Sequence, residues 1–397
     1  MRARLRLPAV LLFALLAASC ASPGGIPGGR TLVVGLIADL SASDARRGND
    51  VRKGAELRAL ALKAAGIGTV RVVSVDMKES PAEAVKALGR LAQETQASAV
   101  IDATFGRAGF VLGSAADDLG IPLVSLGTDD RVTTPEISAA GADSAGLLRR
   151  RAFLIEPTDS QLADAMARYA LSRFPLKRYA SLSDPADIRS TIQAWSFARA
   201  VKRAKALLVA AEGFPDNPGD AAPIQRVLDA RPEAVFICGS VEQNVRAARD
   251  FRRLSRTVLL LGNEAWGGSF LERAGESAAG SWFAAAVSPD ADALAGIAST
   301  FQEQFGQPPR SPALYGWDAV GLIADAAVRA LSLDREKVTE ALENTRGYTG
   351  TLGALSIDPS THRADGPPAA LLRIFGGRAT IEEPRFPVSG GSFPGVK

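Results

Sequence analysis

The stretch TLVVGLIADLSASDARRGNDVRKGAELRALALKAA, residues 31–65, decides the fold. It opens on the apolar run Leu32–Ile37, which has the length of a buried strand. A polar loop follows. From Asp44 to Ala65 the pattern becomes helical, with Val51, Ala55, Ala59 and Leu62 on one stripe. Strand, polar loop and amphipathic helix make half of a βαβ unit, so the question is whether the pattern repeats.

It repeats downstream. Arg71–Val75 is a second β-branched run. Ser80-Pro81-Ala82-Glu83 then opens a helix: Ser80 caps it, Pro81 suits the first turn, and Glu83 completes a capping box. Val85, Leu88 and Leu91 form its buried stripe. Ala99–Ile101 is a third strand, Ala108–Leu119 a helix and Pro122–Ser125 a fourth strand. A second series begins at the helix Ser160–Ser172. The strands Tyr179–Leu182, Ala206–Val209, Ala234–Cys238 and Val258–Leu261 follow, with helices between them, including Ile188–Val201. Ser281–Ala285 is extended. Ala291–Phe305, Ala313–Leu331 and Arg335–Asn344 are helical, and the chain closes on strand-like pieces, notably Ala369–Phe375. The spacing predicts an α/β chain with two Rossmann-like lobes, each a parallel sheet flanked by helices. There is no short-period repeat.

Upstream of residue 31 the chain changes character. Arg2, Arg4 and Arg6 form a basic head, Ala9–Ala18 an unbroken apolar run, and Ala17, Ala18 and Ser19 a small-residue stretch ending at Cys20. These are the parts of an export signal. The apolar run falls short of the roughly 20 residues a membrane-spanning helix needs. A cysteine in this place resembles the lipobox of bacterial lipoproteins, in which the thiol is acylated. There a leucine usually stands three residues before the cysteine; here it is Ala17, with Leu16 one step earlier. The alternative is an ordinary cleaved signal with an incidental cysteine. The Gly/Pro-rich segment 21–30 reads as a flexible tether.

Without residues 1–20 about 375 residues remain, enough for two domains of ordinary size. The formal charge is +3, and three of the positive charges belong to the signal, so the rest of the chain is near neutral and lacks the concentrated basic surface of a nucleic-acid binder. The basic runs at Arg149–Arg151 and Lys202–Lys205 read as solvated faces. With Cys20 lipidated, only Cys238 remains of the two cysteines. It ends the apolar run Ala234–Cys238 and reads as a buried strand residue, since a reactive thiol needs an exposed electropositive setting. The single histidine, His362, lies in a turn-like segment and reads as solvated. No Cys/His cluster, Walker loop, nucleophile elbow or dinucleotide fingerprint is present. The chain is therefore expected to be a non-enzyme without metal or cofactor.

Several segments, in order, carry a resemblance. Val33-Val-Gly-Leu-Ile37 is followed by a polar loop and Gly54-Ala-Glu-Leu57. Next come Val75-Asp76, Ser80–Val85, Ile121–Ser125, and Phe153 with Pro157-Thr-Asp159. The series ends with Phe301–Gly306, Pro308-Pro309, Ala313–Val320, Gly350–Gly353 and Ile357-Asp358. Together they resemble the type 1 periplasmic binding proteins, and within them the leucine/isoleucine/valine-binding group of ABC-transporter substrate-binding lipoproteins. The resemblance implies a hinge of three crossings near Phe153, Phe283 and Tyr348. Lobe 1 would comprise 31–152 plus 284–345, and lobe 2 would comprise 153–283 plus 346–397. It also implies a small polar ligand (an amino acid or related metabolite) held between the lobes, a membrane permease as partner, and a cell-envelope location on either membrane. The alternative is a ligand-sensing or interaction lipoprotein of the same fold, such as a regulator of cell-wall synthases.

The same resemblance implies ligand contacts in loops that follow strands. Asp39–Asp44 either touch ligand or cap a helix. Thr104, Phe105 and Gly106 occupy a turn where the family usually has a serine pair, and Arg107 follows them. Ser125 and Thr128 match family contacts in position, though turn chemistry also accounts for them. In the second lobe the candidates are Asp184, Ser240, Glu264 as partner of a ligand ammonium, and Trp266 as an apolar or cation-binding wall, or else as plain packing between lobe and loop. Tyr315 and Trp317 read as packing residues.

Overall fold

The computed structural model describes residues 25–42, 44–106, 108–135, 148–215, 217, 219–286, 291–351, 353–365 and 369–388. Cys20, the export signal and Arg107 lie outside them. By its contacts the chain forms two compact units. One runs to Val124 and resumes over Ala291–Ile357; the other comprises Ser125–Asp290 and the part from Asp358 on.

The first unit begins with β1 (Leu32–Ala38), α1 (Ala45–Ala64), β2 (Val70–Asp76), α2 (Pro81–Gln93), β3 (Ala99–Ala103), α3 (Gly109–Asp118) and β4 (Leu123–Ser125). The strands lie in the order β4-β3-β1-β2. β1 pairs in parallel with both β2 and β3, Leu36 standing opposite Ser74 and Ile101. A strand covered on both faces has no solvent side, which is why Leu32–Ile37 is apolar without alternation. The start of α2 is half as expected. Ser80 Oγ accepts the Glu83 N–H at 3.3 Å, but the Glu83 carboxylate pairs with Lys86 at 2.7 Å.

The second unit is built from β5 (Ala152–Leu154), α4 (Asp159–Arg173), β6 (Arg178–Ser183), α5 (Ile188–Arg203), β7 (Leu207–Gly213), α6 (Ala222–Asp229), β8 (Ala234–Cys238), α7 (Val241–Leu254), β9 (Leu259–Gly262), α8 (Ser269–Ala274) and β10 (Trp282–Ala285). The chain then returns to the first unit with α9 (Ala291–Phe305), α10 (Ser311–Arg329), α11 (Arg335–Glu343), β11 (Tyr348–Gly350) and β12 (Gly353–Asp358). It closes in the second unit with β13 (Arg363–Asp365), β14 (Ala369–Phe375) and β15 (Arg378–Phe386). The second sheet has the order β15-β14-β10-β9-β8-β6-β7, in which β14 pairs antiparallel with both β15 and β10 and the other pairings are parallel. On one face α4 and α5 bury Met166, Tyr169 and Phe197, the last stacked on Phe236 at 4.5 Å. On the other, α6, α7 and α8 bury Val227, Val245, Phe251 and Phe270. Both units are thus sheets of mainly parallel strands flanked by helices, as the sequence predicts. Among the described residues no helix is long and apolar enough to cross a membrane.

Two readings need correction. His362 is buried, stacked on Phe153 at 4.6 Å, with Nδ1 3.0 Å from the Arg149 carbonyl oxygen. Arg149 is buried as well and donates to the carbonyls of Arg131 and Val132 at 2.7 and 3.1 Å. Both follow from β13 pairing alongside β5, Arg363 opposite Leu154. That pairing draws a polar turn into the interior from more than 200 residues away. Lys202, Arg203 and Lys205 are exposed and Cys238 is buried, as read.

Candidate ligand-binding loops

Parallel strands deliver their carboxyl ends to one edge of a sheet, where loops and helix N-termini gather. In the first unit the loop after β1 is organised by Asp39. Its carboxylate accepts the N–H groups of Ser41, Ala42 and Asp44 at 3.3, 2.8 and 2.9 Å. Asp44 precedes α1 without a side-chain capping bond. At the end of β2, Asp76 accepts the N–H groups of Leu40 and Lys78, both at 3.0 Å, and the Ser41 hydroxyl. Burial would raise the Asp76 carboxyl; the hydrogen bonds outweigh it and hold it below the usual 3.8.

The turn after β3 carries three of the sequence candidates. Buried Asp102 accepts the Thr104 N–H at 2.9 Å, and Thr104 Oγ1 accepts the Ala108 N–H at 3.2 Å. Phe105 and Gly106 have φ of 51° and 90°, so an aromatic residue occupies the left-handed region that glycine favours. The Phe105 ring lies 3.3 Å from the Arg47 guanidinium carbon and meets Tyr315 edge-on at 6.3 Å. Arg47 comes from the first turn of α1 and Tyr315 from α10. The neighbouring Asp50 is paired with Arg310; burial raises its carboxyl, against the pull of Lys53 and Arg46. Sequence reasoning missed Arg47. Its only signal was a basic residue closing the first polar loop, and nothing local shows that α1 would set it on Phe105.

In the second unit most candidates are committed to internal bonds. Ser125 ends β4 fully buried, and its Oγ accepts the Gly127 N–H at 3.2 Å, which is turn chemistry. Thr128 Oγ1 donates to Asp159 at 3.1 Å and accepts from Arg189 at 2.9 Å. Arg189 grips Asp159 in bidentate fashion at 2.6 and 3.1 Å. Burial pushes the Asp159 carboxyl up while Arg189 pulls it back, and Asp159 in turn raises Arg189 further, so the guanidinium stays charged. From Asp159 a polar chain crosses the strand ends. Gln193 donates to Asp159 at 2.9 Å, Asn263 to Gln193 at 3.0 Å, and Asn244 to Asn263 at 3.1 Å. No motif in the sequence announces this network, because its members come from four separate elements.

Asp184 and Ser240 are brought together by Gln243, which donates to the Asp184 carboxylate at 2.6 Å and accepts the Ser240 N–H at 2.8 Å. Ser240 is the N-cap of α7, in a full capping box with Gln243. Glu264 opens the short turn after β9 and is exposed. It borders a crevice shared with Asp159, Gln193 and Asn263 that admits no water-sized sphere. Trp266, two residues on, is fully buried: it packs on Phe270 at 4.4 Å and its Nε1–H donates to the Ile237 carbonyl at 3.2 Å. Among the described residues no group of three or more His, Cys, Asp or Glu is placed to hold a metal ion.

Against these loops stand the comparisons with known proteins. Residues 31–378 match the model of a family described as periplasmic binding protein. No curated protein sequence matches. Among solved structures, a leucine-binding protein of Thermotoga maritima superposes with a TM-score of 0.68 at 20% identity, over 89% of this chain and 98% of that one. A branched-chain amino acid transporter substrate-binding protein of Streptococcus pneumoniae, in complex with isoleucine, gives 0.66 at 22%, over 88% and 98%. A solute-binding protein of an ABC transporter from Rhodopseudomonas palustris, in complex with 3,4-dihydroxybenzoic acid, gives 0.64 at 19%, over 91% and 98%.

Proposed function

The chain belongs to the periplasmic binding protein family, and from that premise we propose that it is an extracytoplasmic solute-binding protein that captures a small polar ligand for an ABC importer. The observation that carries this reading is the reach of the family match, 31–378, through both compact units. The importer as partner is supported by what the similar structures are: transporter binding proteins, one holding isoleucine and one a dihydroxybenzoate.

Ligand contact is assigned first to the Thr104–Gly106 turn and to Glu264. The turn stands at a strand end over the Asp102 carboxylate that braces it, and Glu264 is an exposed carboxylate just past the end of β9 in the second sheet. Ser125, Thr128, Asp184 and Ser240 hold their own strand-end loops in shape, and Trp266 anchors the turn of Glu264. Lipid attachment at Cys20 is part of the same proposal. A chain tethered through a Gly/Pro segment stays at high effective concentration beside a membrane partner. Two experiments test the reading. Isothermal titration of amino acids and small organic acids should find a ligand; no heat of binding from any of them would sink the solute-binding reading. Fractionation of the wild type and Cys20→Ser should move the protein from the membrane to the soluble fraction, and unchanged membrane association would remove the anchor.

A further inference from the structure

We propose that Arg47 is the anion anchor of this protein, taking the carboxylate of the captured solute on the edge of a guanidinium whose face is laid on Phe105. The inference rests on the solute-binding reading above and narrows its substrate class to small carboxylates. Arg47 is a half-buried cation that lies over the ring of Phe105 and makes no side-chain hydrogen bond or ion pair among the described residues. Three carboxylates of the same strand ends and of α1 are engaged elsewhere. Asp39 takes three backbone N–H groups, Asp76 takes Ser41 with two N–H groups, and Asp50 takes Arg310.

A carbon-to-centroid distance of 3.3 Å is reached only when guanidinium and ring lie face to face. Stacking of this kind strips water from one face of the cation but uses none of its five N–H donors, which point outward in the plane. The ring quadrupole attracts the charge without neutralising it. The planar fork that remains matches a carboxylate in bidentate geometry. Phe105 is held beneath it at φ 51° and backed edge-on by Tyr315, so the platform is fixed by two other elements, the turn after β3 and α10. A lysine would keep the charge here but would lose both the stack and the fork.

The test is isothermal titration of the full chain in mild detergent at pH 7.5. The probes are L-leucine, L-isoleucine and 3,4-dihydroxybenzoate, each beside its primary amide, which keeps the shape and removes the charge. The wild type should prefer at least one acid over its amide. Arg47→Gln should weaken that acid about 10–100-fold, the range of a charge-assisted hydrogen bond converted to affinity, and should leave the amide within about 3-fold. Arg47→Lys should recover part of the loss, and Phe105→Leu should fall between wild type and Arg47→Gln. If Arg47→Gln binds the acid like wild type and keeps the acid-over-amide preference, the anchor is overturned while the solute-binding reading stands. A wild type that binds amides as tightly as acids overturns it too, whatever the variants' folding. A wild type that binds none of the six compounds counts against both.

Discussion

Glu264 and Trp266 stand two residues apart and play opposite parts. Trp266 lies over Gly262, where an added Cβ would stand 2.2 Å from the indole, so the ring occupies the space a side chain would need. Trp266→Ala should cost about 3–5 kcal/mol of stability in urea unfolding, the range for emptying a large core site. Glu264→Gln should leave stability within about 0.5 kcal/mol, as exposed substitutions do, and should weaken an amine-bearing ligand; unchanged affinity would take Glu264 out of the contact set. Asp130 is the other committed kind. Fully buried, it pairs with Arg363 at 2.7 Å and accepts the hydroxyls of Thr158 and Ser160 at 2.8 and 2.6 Å. Asp130→Asn strands a buried guanidinium, and equilibrium unfolding should show a loss of about 3–5 kcal/mol. Cys238, whose thiol burial pushes up, should resist a thiol reagent in the native protein and react only in denaturant.

Among the elements, α1 and α10 meet through glycines. A Cβ on Gly54 would stand 1.8 Å from the Ala313 carbonyl oxygen, and one on Gly316 would stand 2.0 Å from that of Val51. The backbones touch where any side chain would push them apart, and this contact sets both Arg47 and Tyr315 beside the turn after β3. Gly316→Ala should therefore destabilise by about 1–3 kcal/mol, the cost of overpacking. It should also weaken ligand binding, because Tyr315 is its neighbour in the helix. The loop after β1 depends on pH through Asp76. Its folded carboxyl titrates below the unfolded one, so the ordering it contributes is complete above the usual 3.8 and is lost as pH falls through the lower folded value. Protection of the Leu40 and Lys78 amides, taken against their intrinsic exchange at each pH, should fall in that acid range in the wild type, whereas in Asp76→Asn it should be low throughout.

For the molecule as a whole, a ligand that binds only the folded chain adds stability by mass action, about 2.7 kcal/mol at 100 times its dissociation constant. A rise in Tm that grows with the logarithm of solute concentration is the expected signature; a flat Tm would contradict capture. Long-period features of this architecture were legible in the sequence, because they are written locally. The run Leu32–Ile37 is apolar because both faces of β1 are covered, and Ser80 with Pro81 starts α2 by chemistry contained within a single turn. Cys238 was placed correctly for the same reason, its strand being apolar throughout. The candidate loops were legible only as positions, since a parallel strand always leaves a loop at its carboxyl end. What each side chain does there was decided by partners remote in the chain. His362 looked solvated in its own segment and is buried against Phe153, while Trp266, readable from its segment as a ligand wall or as packing, lies in the core. Arg47 carried no motif at all and acquired its place from α1 packing on α10 and from a left-handed turn at Phe105. Sequence by itself determined the elements, because hydrophobic period and caps act within a few residues. Only the tertiary structure decided which polar groups are spent on one another, because hydrogen bonds and ion pairs form between residues that only folding brings together.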